Sequence, residues 1–142
     1  MCLLRVYGRS LDSEALKSST RLPLDGVLRR GDPVFRSRRR GAPKHQVTTV
    51  NVSVMRTSHR KKGSAWLELS VQVRAAERFL RRHARAIQRL RRRPDVDGMT
   101  LDFPIDLRIG RHQVAIQSDH FPSSLVQRAG RLGIGLELTI YG

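Results

Sequence analysis

The sequence has one cysteine, Cys2, which rules out an internal disulfide and a thiolate cluster for zinc. A reducing compartment fits that usage. Aromatic residues are also scarce, 5% of the chain with one Trp and two Tyr, which leaves little material for base-stacking platforms. No apolar run approaches the roughly 20 residues of a membrane-spanning helix. The opening apolar stretch, Cys2 to Leu4, stops at Arg5 and is too short for a secretory leader. A soluble, cytoplasmic protein with no membrane partner is expected.

Acidic side chains are few, 12 against 28 basic ones, giving a formal charge of +16. Lysine is rare among the cations, with only Lys17, Lys44, Lys61 and Lys62. The rest are arginines, whose planar fork pairs with phosphate or carboxylate through two parallel bonds. A GC-rich genome raises Arg over Lys without selection for binding, so the positions of the arginines inform more than their number. Residues 1–94 hold 24 basic and 6 acidic side chains, whereas residues 95–142 hold 4 and 6. The first two thirds of the chain therefore carry all of the excess charge.

At 142 residues the chain is expected to form one domain with one core. Cys2 to Tyr7 alternates as a strand ended by Gly8, and Leu11 to Lys17 reads as a short helix capped by Ser10. Periodicity then disappears over 18–46, a long loop punctuated by Pro23, Gly26, Gly31, Pro33, Gly41 and Pro43 with Arg36, Arg38, Arg39 and Arg40 near its centre. Val47 to Met55 alternates as a strand, 56–63 is a basic loop containing Arg60, Lys61 and Lys62, and Trp66 to Val73 alternates again. A helix from Arg74 to Arg93 follows, closed by Pro94. Met99 to Ile109 reads as a strand, with Pro104 marking an edge or a bulge, and His112 to Ser118 as another. Pro122 opens a last helix ending near Gly133, and Ile134 to Tyr141 is the final strand.

The resulting order is β-α-β-β-α-β-β-α-β. Alternation in nearly every strand predicts a mostly antiparallel sheet with helices on one face, and the expected architecture is an α+β, ferredoxin-like sandwich. Tyr7, Trp66, Glu68, Asp102, Asp106 and Tyr141 would share its uncovered face. Acidic residues beside those aromatics argue against RNA binding on the sheet.

The Arg74 to Arg93 helix carries the main functional signal. At about 100° per residue, Arg74, Arg78, Arg81, Arg82, Arg85, Arg89, Arg92 and Arg93 fall on one side, and Ala76, Phe79, Ala86, Ile87 and Leu90 on the other. A solvated helix face ordinarily mixes signs to gain pairs three and four residues apart, yet here only Glu77 supplies an acid. These eight arginines are the candidate anion-binding residues, with Arg36, Arg38, Arg39, Arg40, Arg60, Lys61 and Lys62 as auxiliary basic loops.

Catalytic constellations do not emerge. His83 falls on the apolar side of the arginine helix, where a core role is the simpler reading. His45, His59, His112 and His120 have no Cys partners and no ligand-type helical pairing. Gly130, Gly133 and Gly135 follow a helix and open a strand, the reverse of a dinucleotide loop. Asp102 and Asp106 on one strand face lie about 13 Å apart at 3.3 Å per residue, too far to share a proton. No catalytic residue, metal or cofactor is expected.

The runs Leu28-Arg29-Arg30-Gly31-Asp32-Pro33, Ala65-Trp66-Leu67-Glu68-Leu69, Phe121-Pro122-Ser123-Ser124-Leu125 and Leu136-Glu137-Leu138-Thr139-Ile140-Tyr141, in that order, resemble the bacterial family designated domain of unknown function 4279. The chain departs from it at Leu28, where members tend to carry an aromatic residue, and in being far more basic. The resemblance implies a small cytoplasmic bacterial protein and lends no catalytic residues. Together these readings point to a non-catalytic module, monomeric or homodimeric, whose arginine ridge holds nucleic acid through its phosphates without sequence specificity. The alternative is an interaction or immunity-type domain that docks an acidic protein.

Overall fold

A computed structural model describes residues 2–34, 43–55, 68–107, 109 and 116–141. Eight elements follow one another: β1 (Leu3–Gly8), α1 (Ser13–Ser19), β2 (Leu24–Leu28), β3 (Thr48–Ser53), α2 (Leu69–Arg91), β4 (Gly98–Asp106), α3 (Ser123–Leu132) and β5 (Gly135–Tyr141). The chain is α+β, and the described residues form a sheet of five strands in the order β2-β3-β1-β4-β5. β1 runs antiparallel to both β3 and β4, β2 antiparallel to β3, and β5 parallel to β4.

Alternation sorts the sheet into two faces. Leu4 and Val6 of β1, Val50 and Val52 of β3, and Met99, Leu101 and Phe103 of β4 point into a cluster completed by Leu16 of α1, Ala76, Phe79, Leu80, Ile87 and Leu90 of α2, and Leu125, Ala129 and Leu132 of α3. All three helices therefore cover the same face. Arg5, Tyr7, Asn51, Thr100, Asp102, Glu137 and Thr139 occupy the other, as the strand registers require.

Four sequence expectations change. Asp12, not Ser10, caps α1, its Oδ1 accepting from the backbone N–H of Glu14 and of Ala15 at 3.0 Å each. Leu24–Leu28 forms a strand inside the segment read as loop. The strand expected at Trp66 to Val73 is absent from Leu69 onward, where α2 has begun; Trp66 and Leu67 lie outside the described residues. The strand expected at His112 to Ser118 falls mostly outside them too, and Ile116 to Ser118 is not a strand. Among the described residues the order is β-α-β-β-α-β-α-β, which differs from the expected nine-element order.

Helix α2 begins early because Leu69, Val73, Ala76 and Leu80 continue one apolar stripe at helical spacing. Gln72 within this turn is fully buried, and its Nε2 donates to the Pro104 carbonyl at 2.7 Å. Pro104 is tolerated inside β4 because pairing with β1 ends at Leu3 and Asp102, so its missing N–H is not required on that side. β4 itself lies between β1 and β5, with β5 at the edge.

The end of α2 is tied to both ends of α1. Arg93 Nε and Nη2 donate to the two carboxylate oxygens of Asp95 at 2.9 and 2.8 Å, and its Nη1 reaches Ser19 Oγ at 3.1 Å. Asp95 Oδ2 also accepts from the backbone N–H of Asp12 at 3.2 Å. A Cβ on Gly8 would clash with the Asp95 carbonyl oxygen, so only glycine lets β1 pass this turn.

Candidate functional site

Helix α2 is the longest element of the chain and the central support of the candidate site. Its buried residues, among them Gln72, Val73, Ala76, Phe79, Leu80, Ile87 and Leu90, fix the rotation of the helix on the sheet. That rotation turns the opposite flank outward. Arg74, Arg78, Arg81, Arg82, Arg85, Arg89 and Arg92 are all exposed. From Arg74 to Arg92 the ridge runs about 27 Å at 1.5 Å per residue.

Arg93 does not belong to the ridge. It lies past the end of α2, is partly buried, and is committed to Asp95 and Ser19. The hydrogen bond and charge of Asp95 raise its pKa, and the reciprocal bond from Arg93 holds the Asp95 carboxyl below its ordinary 3.8. Helical periodicity counts Arg93 with the other seven arginines, but α2 ends at Arg91, and the chain turns before Pro94.

The fold leaves the remaining seven guanidinium groups unneutralised. All 12 Asp and Glu side chains of the chain fall among the described residues, and none forms a salt bridge with a ridge arginine. Glu77, the single acid on α2, is drawn to α3: its Oε1 accepts from Ser124 Oγ at 2.6 Å. There it faces the positive end of α3, whose first turn has no acid of its own. Other carboxylates are also engaged. Asp102 and Glu137 hold Arg5, Asp12 caps α1, and Asp97 accepts from the Arg9 backbone N–H at 2.8 Å.

Two features escaped the sequence reading. Arg91 is exposed on the flank of α2 nearest α3, where a Cβ on Gly133 would meet its Nε at 2.7 Å. It extends the basic surface toward the carboxyl end of α3, and only the helix rotation reveals it. The second is a polar cluster on the open sheet face: Arg5 Nη2 donates to Asp102 Oδ2 at 2.5 Å, Arg5 Nη1 to Glu137 Oε2 at 3.2 Å, and Thr139 Oγ1 to Asp102 Oδ1 at 2.6 Å. Opposite charges at outward positions of β1, β4 and β5 were the available signal. The strand order that makes them neighbours was not.

His83 is partly buried and packs on Phe79, with ring centroids 4.6 Å apart. Burial, then the charge of Arg82, holds its imidazole below the ordinary 6.5. The Cys2 thiol is buried and pushed well above its ordinary value by desolvation and, secondarily, by Asp102, which makes it a poor nucleophile. Among the described residues no three His, Cys, Asp or Glu side chains converge as a metal site, and no helix is long and apolar enough to cross a membrane. The auxiliary residues Arg36, Arg38, Arg39, Arg40, Arg60, Lys61 and Lys62 lie outside the described residues, as do His59 and His112. No protein-family model matches the chain, and no curated protein or solved structure shows significant similarity to it.

Proposed function

We propose that this chain is a non-catalytic, cytoplasmic binding module that holds nucleic acid through its phosphates, using the α2 ridge and the basic loops that flank it in sequence. One observation carries the reading: seven exposed arginines follow one flank of a packed helix, and no Asp or Glu side chain forms a salt bridge with any of them. Arginine forks suit phosphate oxygens, and each phosphate neutralised releases condensed counterions. The ridge carries Gln88 but no aromatic residue, and it lies on a flank of a helix rather than at a base-reading end, so sequence specificity is not part of the proposal. The same level of inference covers two further points. The ferredoxin-like reading is supported by the alternating strand directions across β2, β3, β1 and β4, to which α3 and β5 are an addition. Kinship with the domain of unknown function 4279 family is supported by the order of the motifs along the chain.

The test is the salt dependence of binding to a duplex of arbitrary sequence. If four to seven ridge arginines touch phosphate, log K falls against log salt with a slope of about −4 to −6 on B-DNA. Replacing Arg78, Arg82 and Arg89 by Gln lowers the affinity and makes that slope shallower by about 3. An affinity indifferent to ionic strength removes phosphate as the ligand. Retention of one stoichiometric acidic protein after nuclease treatment, with no binding to nucleic acid, replaces it with that partner.

A further inference from the structure

We propose that β5 is the pairing strand of an isologous homodimer, in which two copies of this chain join edge to edge through Gly135–Tyr141 into one continuous sheet. The two edges of the sheet differ in chemistry. β2 has five residues and an irregular register between Leu24 and Gly26, with Asp25 at the break, which are the usual devices that blunt an edge. β5 has seven residues in unbroken register with β4, and it contains no Lys, Arg or Pro. Its one charge, Glu137, is engaged by Arg5 on the open face. Among the described residues β4 is its only neighbouring strand.

The backbone fixes which residues face outward. Tyr141 accepts from the Leu107 N–H at 2.6 Å and so directs its carbonyl toward β4. Alternation along the strand then points the N–H and C=O groups of Leu136, Leu138 and Ile140 to the side away from β4. A two-fold antiparallel pairing must set these three against one another, which restricts its centre to residue 137, 138 or 139. Centring on Glu137 opposes the carboxylate to its own copy. Centring on Thr139 leaves Leu136 opposite Gly142, outside the strand. Centring on Leu138 uses the whole strand and pairs Gly135 with Tyr141, Leu136 with Ile140, and Glu137 with Thr139. The first two pairs are complementary, a ring over a glycine and apolar on apolar, and the third places no like charges opposite each other.

Exposure agrees with this register. Ile140 is 53% exposed and Tyr141 46%, and both lie at the end of the strand that the partner's Leu136 and Gly135 would cover. The charge distribution agrees as well, because β5 belongs to the mildly acidic last third of the chain, and pairing there keeps the arginine ridges off the interface. The two-fold axis stands perpendicular to the sheet, so both helical layers lie on one face and the two ridges point the same way. The dimer does not depend on what the ridges bind.

Sedimentation equilibrium of the full chain over a wide concentration range tests the proposal. The expected result is a concentration-dependent rise to twice 16.2 kDa. Ile140→Lys raises the dimer dissociation constant at least tenfold, whereas Val27→Lys on β2 leaves it unchanged. The double variant Gly135→Cys/Tyr141→Cys gives a reducible covalent dimer on oxidation, since opposed Cα atoms in such a pair fall within disulfide reach. A Cβ at position 135 meets Thr100 Oγ1 at 3.5 Å, an ordinary contact, so the variant retains the fold. A monomer mass throughout overturns the proposal, as does a dimer indifferent to Ile140→Lys that yields no cross-link.

Discussion

If the ridge is unneutralised, it costs the protein stability, and Arg85, which like Arg78 has three arginines at three and four residues along the helix, is a position at which that cost is easily read. Its neighbours at three and four residues are Arg81, Arg82 and Arg89, all exposed, along with the neutral Gln88. Like charges at that spacing destabilise a helix by about 0.2–0.5 kcal/mol per pair. Three pairs sum to about 0.6–1.5 kcal/mol, and Arg and Gln have similar helix propensities, so Arg85→Gln isolates the charge term. The variant is therefore expected to be more stable than the parent by about 1 kcal/mol at low ionic strength. At 1 M salt the Debye length is about 3 Å, shorter than the ~5–6 Å between neighbouring positions, and the gain should vanish. Urea denaturation at both salt concentrations measures it as a shift in midpoint at constant slope. Arg30→Gln, which removes one exposed charge away from α2, is the control for total charge. The reasoning fails if Arg85→Gln destabilises the protein, or if its effect is the same at both salt concentrations. Either result would mean that the protein itself already neutralises the ridge.

Two further outcomes follow from contacts around the core. Arg93 holds the Asp95 carboxyl below 3.8, so its stabilisation is complete above that pH and is lost as the pH falls through the lowered native value; Asp95→Asn should lower stability at neutral pH and flatten the acid limb of a pH–stability profile below about pH 4. Gln72→Leu keeps the volume of a fully buried side chain but strands the Pro104 carbonyl, which is expected to cost about 1–3 kcal/mol in denaturant unfolding.

What was legible in the sequence was the repeating part of the structure. The apolar stripes of β1, β3, β4, β5 and α3 were visible because one face of each packs on the core, and the arginine stripe of α2 was visible because its other face is buried. The start of α2 was ambiguous for a definite reason. Leu67, Leu69, Val71 and Val73 satisfy a period of two, while Leu69, Val73, Ala76 and Leu80 satisfy the helical period, and the second set continues into the core. β2 gave no signal because Gly26 interrupts it, its register is irregular, and four of its five residues are exposed. The cluster of Arg5, Asp102, Glu137 and Thr139 spans three strands that are far apart in sequence, so it required a topology that local periodicity does not supply.

Arginine richness from genome composition alone would distribute guanidinium groups over every exposed position and leave carboxylates free to meet them. The arrangement around α2 differs in a way that the fold explains. Glu77, the only acid on the helix, is held by Ser124 at the start of α3, and Asp95, the acid nearest the carboxyl end of α2, is consumed by Arg93. Both acids that could have shortened the ridge thus serve as ties between elements. If Ser124→Ala frees Glu77, the carboxylate can swing to Arg74 or Arg81, which lie three and four residues from it along the helix. Stability then changes little, because one exposed hydrogen bond to the carboxylate is exchanged for one surface pair, while affinity for a polyanion falls by about one contact in the salt slope. That divergence separates a ridge kept clear by the fold from one that is merely crowded with arginine.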